Sequence, residues 1–183
     1  MIAGHFGFAA AVKARAPSVP LWPLMLACVW LDIVFIPLLV AGIETLVPTG
    51  TPGAYGQAII HADYTHSLVG ALALSALFGG LGALRWGARA GVILGAVAFS
   101  HWPLDLLCHH HDMPLLPGQP GFLGFGLWSF PALSAAIELA IVLAGAFLYW
   151  RAATRVAGPR AKLPAAVLLA SGLLTLGLNV LGM

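Results

Sequence analysis

The chain has 183 residues, of which 61% are apolar and only 8% are charged. Soluble domains carry roughly 25% charged residues, so this composition excludes an ordinary soluble domain and predicts a membrane protein. The net charge of +2 provides no large basic surface, and we expect no nucleic-acid partner. The length suits a single membrane-embedded helical domain over residues 1–183.

The first segment of the chain is apolar and ends at Lys13 and Arg15. A helix over residues 1–12 would be about 18 Å long at 1.5 Å per residue, which is too short to cross a bilayer. We therefore predict either a half-helix that enters the membrane or a helix that lies in the membrane interface.

Five longer apolar runs follow, each close to the roughly 17 to 25 residues that cross a bilayer. They are residues 21–43, 66–84, 90–108, 131–150 and 163–182. The predicted fold is therefore all-α: a polytopic membrane bundle of five transmembrane helices plus the short N-terminal helix. All eight Lys and Arg residues precede the first run or lie in the gaps 85–89 and 151–162. By the positive-inside rule these basic loops face the cytoplasm, and the C-terminus faces outward.

The two remaining gaps, 44–65 and 109–130, contain no Lys or Arg and are predicted to face outward. The gap 44–65 is rich in Gly, Pro and Thr, which predicts an irregular loop. The gap 109–130 is rich in Gly, Pro and aromatic residues, which predicts a belt in the membrane interface or a lid. Thr65 or Ser67 is predicted to cap the second span.

Ionisable side chains fall at the middle to outer depth of the predicted bundle, where burying an unpaired one costs several kcal/mol. The candidate metal ligands are His5, Asp32, His61, His66, His101, Asp105 and His109. Glu138 enters the fourth span at a depth comparable with that of Asp105. Asp32, Asp105 and Glu138 are the candidate catalytic residues.

The segment SHWPLDLLCHHHD places His101, Asp105 and His109 at i, i+4 and i+8, on one helix face. Imidazole and carboxylate together suit zinc, in one to three ions, with manganese or iron as alternatives. In a two-metal site, an aspartate such as Asp105 bridges ions about 3.5 to 4 Å apart. Cys108 is a candidate soft ligand. The pattern of His110 and His111 is typical of a solvated histidine tract as well as of a metal site.

Four sequence patterns occur in an order that resembles one known family. They are an early His in MIAGHFGFA, a mid-span Asp in LACVWLDIVF, the segment HADYTHSL and the segment VAFSHWPLDLL. This order resembles the YdjM-like family of bacterial membrane-bound metal-dependent hydrolases, which is grouped with zinc-dependent phospholipase C and the fungal single-strand nucleases. The resemblance covers roughly residues 1–117 and implies a bacterial inner-membrane location.

Carried over by motif, the resemblance implies metal ligation by His5, Asp32, His66, His101 and Asp105, with His61 close by. The chain also departs from the family pattern. Residues IVF follow Asp32 where the family has a second Asp and a His. The histidines 109–111 replace a Thr-Pro-x-Gly pattern.

The predicted function is a membrane-embedded metal-dependent hydrolase that cleaves a phosphoester with a metal-activated water. A lipid or lipid-linked phosphate is the expected substrate, and membrane lipid and metal ions are the expected partners. A metal-ion or proton transporter that uses the same His and Asp residues is the first alternative. A non-enzymatic membrane scaffold is the second, although interhelical hydrogen bonds alone contribute little to packing.

Overall fold

The computed structural model describes residues 1–50, 56–158 and 162–181. Its helices are α1 (Ile2–Arg15), α2 (Leu21–Cys28), α3 (Trp30–Val40), α4 (Leu68–Trp86), α5 (Ala88–Cys108), α6 (Pro131–Ala157) and α7 (Lys162–Leu181). Two short strands, β1 (Thr45–Pro48) and β2 (Ala58–His61), lie between α3 and α4. Helices thus dominate the described residues, and the predicted all-α class is confirmed.

Three of the described helices are long and apolar enough to cross a membrane: α4, α5 and α6. Helices α2 and α3 qualify as a fourth span only if the pair, which is bent by 49°, is counted as one. The apolar part of α7, Leu163–Leu178, is shorter than these helices. The predicted number of five spans is therefore not confirmed, and the end of the predicted run 163–182 lies outside the described residues.

The predicted first span, 21–43, is interrupted at Val29 and ends at Val40. The last carbonyl groups of a helix have no partner within that helix, so the end of α2 leaves acceptors free for other donors. The Cys28 carbonyl accepts a hydrogen bond from His101 Nδ1 at 2.8 Å. Restarting the helix at Trp30 places Asp32 in the first turn of α3, where the helix dipole favours a carboxylate.

Helix α1 lies inside the bundle, with Ala3, His5 and Ala9 buried. It packs most extensively on α6, where a side-chain carbon at Gly7 would lie 2.7 Å from the Ile141 carbonyl oxygen. Only glycine permits this approach of the two helices. Helix α1 is therefore held among the other helices by close packing, and its placement relative to a membrane stays a prediction.

Helices α4 and α5 are antiparallel neighbours joined at Gly87. The Ser67 hydroxyl accepts a hydrogen bond from the Gly70 N–H at 3.0 Å, which confirms Ser67 as the N-cap. The N–H groups of Leu68 and Val69 donate to carbonyl oxygens of the 109–130 segment. This segment is thereby fixed at the end of the bundle where α4 begins and α5 ends.

The gap 44–65 is not irregular throughout, which corrects the sequence prediction. Strands β1 and β2 pair in antiparallel register, from Thr45 opposite His61 to Pro48 opposite Ala58. The strands consist largely of apolar and β-branched residues, which favour extended structure. The surrounding Gly and Pro residues obscured this short pattern, and residues 51–55 lie outside the described part.

Candidate metal centre

The carboxylate of Asp105 lies at the centre of a cluster of buried histidines. Its Oδ1 is 3.0 Å from His5 Nε2, and its Oδ2 is 3.0 Å from His101 Nε2. The same Oδ2 is 3.6 Å from His109 Nε2 and 3.8 Å from His66 Nε2. Four histidines thus converge on one side chain. His5 lies in α1, His66 just before α4, His101 in α5 and His109 just after α5.

Three ligand atoms of this cluster, from Asp32, His66 and His101, are spaced like three ligands of one tetrahedral ion. His66 Nε2 is 3.3 Å from His101 Nε2, and both nitrogens are 3.6 Å from Asp32 Oδ1. Asp105 Oδ2 adds separations of 3.0 and 3.8 Å to the same two nitrogens. Ligand atoms held about 2.0 to 2.2 Å from a tetrahedral zinc ion stand about 3.3 to 3.6 Å apart. The measured distances bracket that range.

The outer nitrogens of two of these imidazoles are hydrogen-bonded, and the partner of His101 indicates its tautomer. His101 Nδ1 faces the Cys28 carbonyl, which only accepts, so Nδ1 carries the proton. His66 Nδ1 lies 2.9 Å from the Thr65 hydroxyl. When both rings are neutral, Nε2 of His101 directs a lone pair at the other ligand atoms. A backbone carbonyl or hydroxyl behind a histidine is a typical outer partner of a metal ligand.

His109 contacts Asp105 and is held in place by residues of the 109–130 segment. Its Nδ1 lies 3.0 Å from Asp112 Oδ1, and its ring packs on Trp128 with centroids 4.4 Å apart. Burial disfavours the charged imidazole, but the hydrogen bonds and charges of Asp105 and Asp112 outweigh it and raise the pKa of His109 above 6.5. Residues of the 109–130 segment therefore pack against one side of the cluster.

The cluster is closed on most sides and open at one carboxylate. The side chains of His5, His66, His101 and Asp105 are 1%, 5%, 1% and 4% exposed, whereas that of Asp32 is 31% exposed. Catalytic metal sites keep one position accessible, whereas structural sites are closed. Asp32, on α3, is the most exposed of these five side chains.

Two groups of residues satisfy the spacing needed to share an ion: His5, His101 and Asp105, and Asp32, His66 and His101. In each group, the ligand atoms lie within 4.8 Å of one another. All five residues that the resemblance implied as ligands are therefore brought together. Of the other predicted site residues, His109 contacts Asp105 but belongs to neither group, and His61 and Glu138 lie elsewhere.

His61 is exposed in β2 and is outside both groups. Glu138 is fully buried, but its Oε1 accepts a hydrogen bond from the Gly4 N–H at 3.0 Å in the first turn of α1. The Cys108 thiol donates to Met1 Sδ at 3.4 Å. His110 faces the Gly56 carbonyl, and His111 is exposed.

Two buried carboxylates at the edge of the cluster were not among the predicted site residues. Glu44 accepts from Thr65, whose hydroxyl contacts His66. Asp112 contacts His109 and also accepts from the Ile60 N–H at 2.8 Å. A signal was present in the sequence, because these are two of only six acidic residues in a strongly apolar chain.

Comparisons of the chain with protein-family models, with curated proteins and with solved structures found no match.

Proposed function

We propose that this cluster binds a divalent metal ion, zinc by its ligand set, and that the protein is a membrane-embedded metal-dependent phosphoester hydrolase. One observation carries the proposal: Asp32 Oδ1 and the Nε2 atoms of His66 and His101 lie 3.3 to 3.6 Å apart, as three ligands of one tetrahedral ion do. Asp105 Oδ2 lies 3.0 and 3.8 Å from the same two nitrogens. The ligands are Asp32, His66, His101 and Asp105. His5 Nε2 lies 3.0 Å from Oδ1, the other carboxylate oxygen of Asp105, and orients that side chain.

The charge balance of the cluster supports a cation at this position. Asp32 and Asp105 bring two negative charges, and the N-terminal ammonium of Met1 lies 3.7 Å from Asp105 Oδ1. The chain has no Lys or Arg between residues 16 and 84 or between 90 and 150. A proton on one imidazole would satisfy one pair of these atoms, whereas a divalent cation would attract both carboxylates and both imidazole lone pairs. Burying such groups without a partner costs several kcal/mol each.

A bound zinc ion supplies Lewis-acid charge and lowers the pKa of a coordinated water to near 7. In the hydrolysis, the water oxygen forms a bond to phosphorus as the bond from phosphorus to the ester oxygen breaks. Asp32, the partly exposed carboxylate, would ligate through Oδ1, accept the water proton on its other oxygen and pass that proton to the departing ester oxygen. Asp105 holds His5 and His101 in fixed orientations while this occurs.

The environment of Asp32 favours a lipid or lipid-linked phosphate as the substrate. On the same helix, Ile33 and Ile36 are 37% and 56% exposed, so the open side of the site is bordered by apolar surface. A membrane location for this surface agrees with the three or four apolar helices long enough to cross a bilayer. The relation to the YdjM-like family, the inner-membrane location and the outward orientation of the site remain parts of this proposal.

The test is phosphate release from a phosphatidate in mixed micelles, measured on protein stripped with a chelator and then reloaded with zinc. We expect activity only after reloading, and none in the Asp32→Asn variant. His111→Ala serves as the matched control, because His111 is exposed and outside the cluster. Zinc-loaded wild-type protein that releases no phosphate from lipid or soluble phosphoesters would overturn the hydrolase assignment.

One observation favours transport as the second candidate function. The break between α2 and α3 lies beside Asp32, and discontinuous helices with a polar group at the break form ion sites in transporters. Zinc flux into proteoliposomes that is lost in Asp32→Asn, without phosphate release, would favour this function over hydrolysis.

A further inference from the structure

Glu44 is a buried acid that is not a ligand of the proposed metal centre. Its carboxylate is 0% exposed and follows the end of α3 by four residues. Oε1 accepts hydrogen bonds from the N–H groups of Tyr64 and Thr65 at 2.9 and 2.8 Å. In the described part of the chain, no Lys, Arg or His lies within ion-pair distance of it. Its burial therefore depends on hydrogen-bond donors.

The third donor to Glu44 is a hydroxyl that also contacts a proposed metal ligand. Thr65 Oγ1 lies 2.9 Å from Glu44 Oε2 and 2.9 Å from His66 Nδ1. An ionised carboxylate only accepts hydrogen bonds, so the single hydroxyl proton of Thr65 points at Glu44. The Thr65 oxygen is then left as an acceptor, and His66 Nδ1 is the donor.

The proton on Nδ1 determines the state of the other nitrogen of the His66 ring. A neutral imidazole has one N–H, so a proton on Nδ1 leaves a lone pair on Nε2. That nitrogen lies 3.3 Å from His101 Nε2 and 3.6 Å from Asp32 Oδ1, at the proposed metal position. Only this tautomer allows His66 to ligate a metal through Nε2.

We propose that Glu44 is a positioning residue, which acts through the Thr65 hydroxyl to hold His66 in the tautomer that presents the Nε2 lone pair. The inference rests on the proposed metal centre for its purpose, but the tautomer is a property of the chain alone. This contact also links the hairpin formed by β1 and β2 to the site, because Glu44 directly precedes β1 and Thr65 follows β2 by four residues. The site is thus complete only when both ends of the hairpin segment are in place.

Three variants separate this role from simple packing. Thr65→Ser retains the hydroxyl, whereas Thr65→Val retains the shape and removes it. Glu44→Gln is nearly isosteric, but its amide donates a hydrogen bond to the Thr65 oxygen. The donor and acceptor roles along the chain from residue 44 through Thr65 to His66 are then reversed. The Thr65 hydroxyl then donates to His66 Nδ1, which moves the imidazole proton to Nε2.

The first measurement is zinc affinity, by competition with a chromogenic chelator. We expect Thr65→Val and Glu44→Gln to lose about 10- to 100-fold in affinity, the usual cost of removing an outer-sphere partner, and Thr65→Ser to stay close to wild type. Equal affinity in all four proteins would overturn the proposal. A wild-type protein that binds no zinc would instead overturn the metal centre and leave the tautomer to the second measurement.

The second measurement is ¹⁵N NMR of histidine-labelled, metal-free protein at a pH above about 8, where an ordinary imidazole is neutral. The His66 signals are assigned by their loss in His66→Gln. We expect the Nδ1–H tautomer in wild type and Thr65→Ser, and the Nε2–H tautomer in Glu44→Gln. The Nε2–H tautomer in the wild-type protein would overturn the proposal whatever the metal content.

Discussion

The C-terminal part of α5 and the first half of α6 each bury one carboxylate, yet the two acids have different neighbours. Asp105 on α5 is within 3.0 Å of two imidazole nitrogens. Glu138 on α6 faces the first turn of α1 and accepts its Gly4 N–H. The N-terminus of a helix carries partial positive charge and N–H groups without partners in the helix, so it accommodates a carboxylate without a metal. Depth in the bundle therefore does not make an acid a ligand.

The largest difference between the two acids is expected in zinc affinity. Asp105→Asn removes a charged ligand and the link between His5 and His101, so we expect a loss of more than about 100-fold. Glu138→Gln keeps an acceptor near Gly4 and leaves the cluster intact, so its affinity should equal that of wild type. Chelator competition measures both, and a comparable loss in the two variants would remove the distinction.

Stability should show the reverse pattern. Glu138→Ala leaves the Gly4 N–H without its carboxylate acceptor, and we expect a loss of about 1 to 3 kcal/mol in the free energy of unfolding. Thermal unfolding of chelator-treated protein in detergent measures this loss without a contribution from metal. The proposed capping role would be contradicted by an unchanged melting temperature.

A smaller effect is expected from the outer partner of His109. Asp112→Asn weakens the contact with His109 Nδ1, at 3.0 Å, and should lower zinc affinity by about tenfold. The control is Asp63→Asn, which is close in sequence to the cluster but belongs to neither ligand group. Wild-type affinity in Asp112→Asn would show that His109 takes no part in binding.

The smallest effect is expected at the exposed histidines. His61→Ala should leave zinc affinity and melting temperature unchanged, because its side chain is exposed in β2 and outside the cluster. Loss of a full equivalent of tightly bound metal in this variant would show that the hairpin contributes a ligand.

The sequence was sufficient to predict which helix carries the centre of the site. His101, Asp105 and His109 follow helical spacing, and the structure brings all three together. Asp32 and His66 were identifiable because an ionisable side chain in an apolar run requires a partner. His5 was recognised from its motif and from the estimated reach of a half-helix, and its contact with Asp105 agrees with both.

Other features depend on tertiary contacts that local patterns do not encode. The break at Val29 carries no proline or glycine at the break itself, although the Cys28 carbonyl there binds His101. Glu44 and Asp112 lie in segments predicted as loops, and their roles appear only when the hairpin and the 109–130 segment fold back onto the cluster. His61 was placed near the site by its motif, but its side chain is exposed in β2 and belongs to neither ligand group.

The metal content of purified protein tests the central claim most directly. Wild-type protein and Asp105→Asn would be purified in parallel without added metal and measured by elemental mass spectrometry. The proposed centre predicts about one or more zinc ions per wild-type chain and close to none in the variant. Equal, substoichiometric metal in the two proteins, with equal folded fractions, would contradict it.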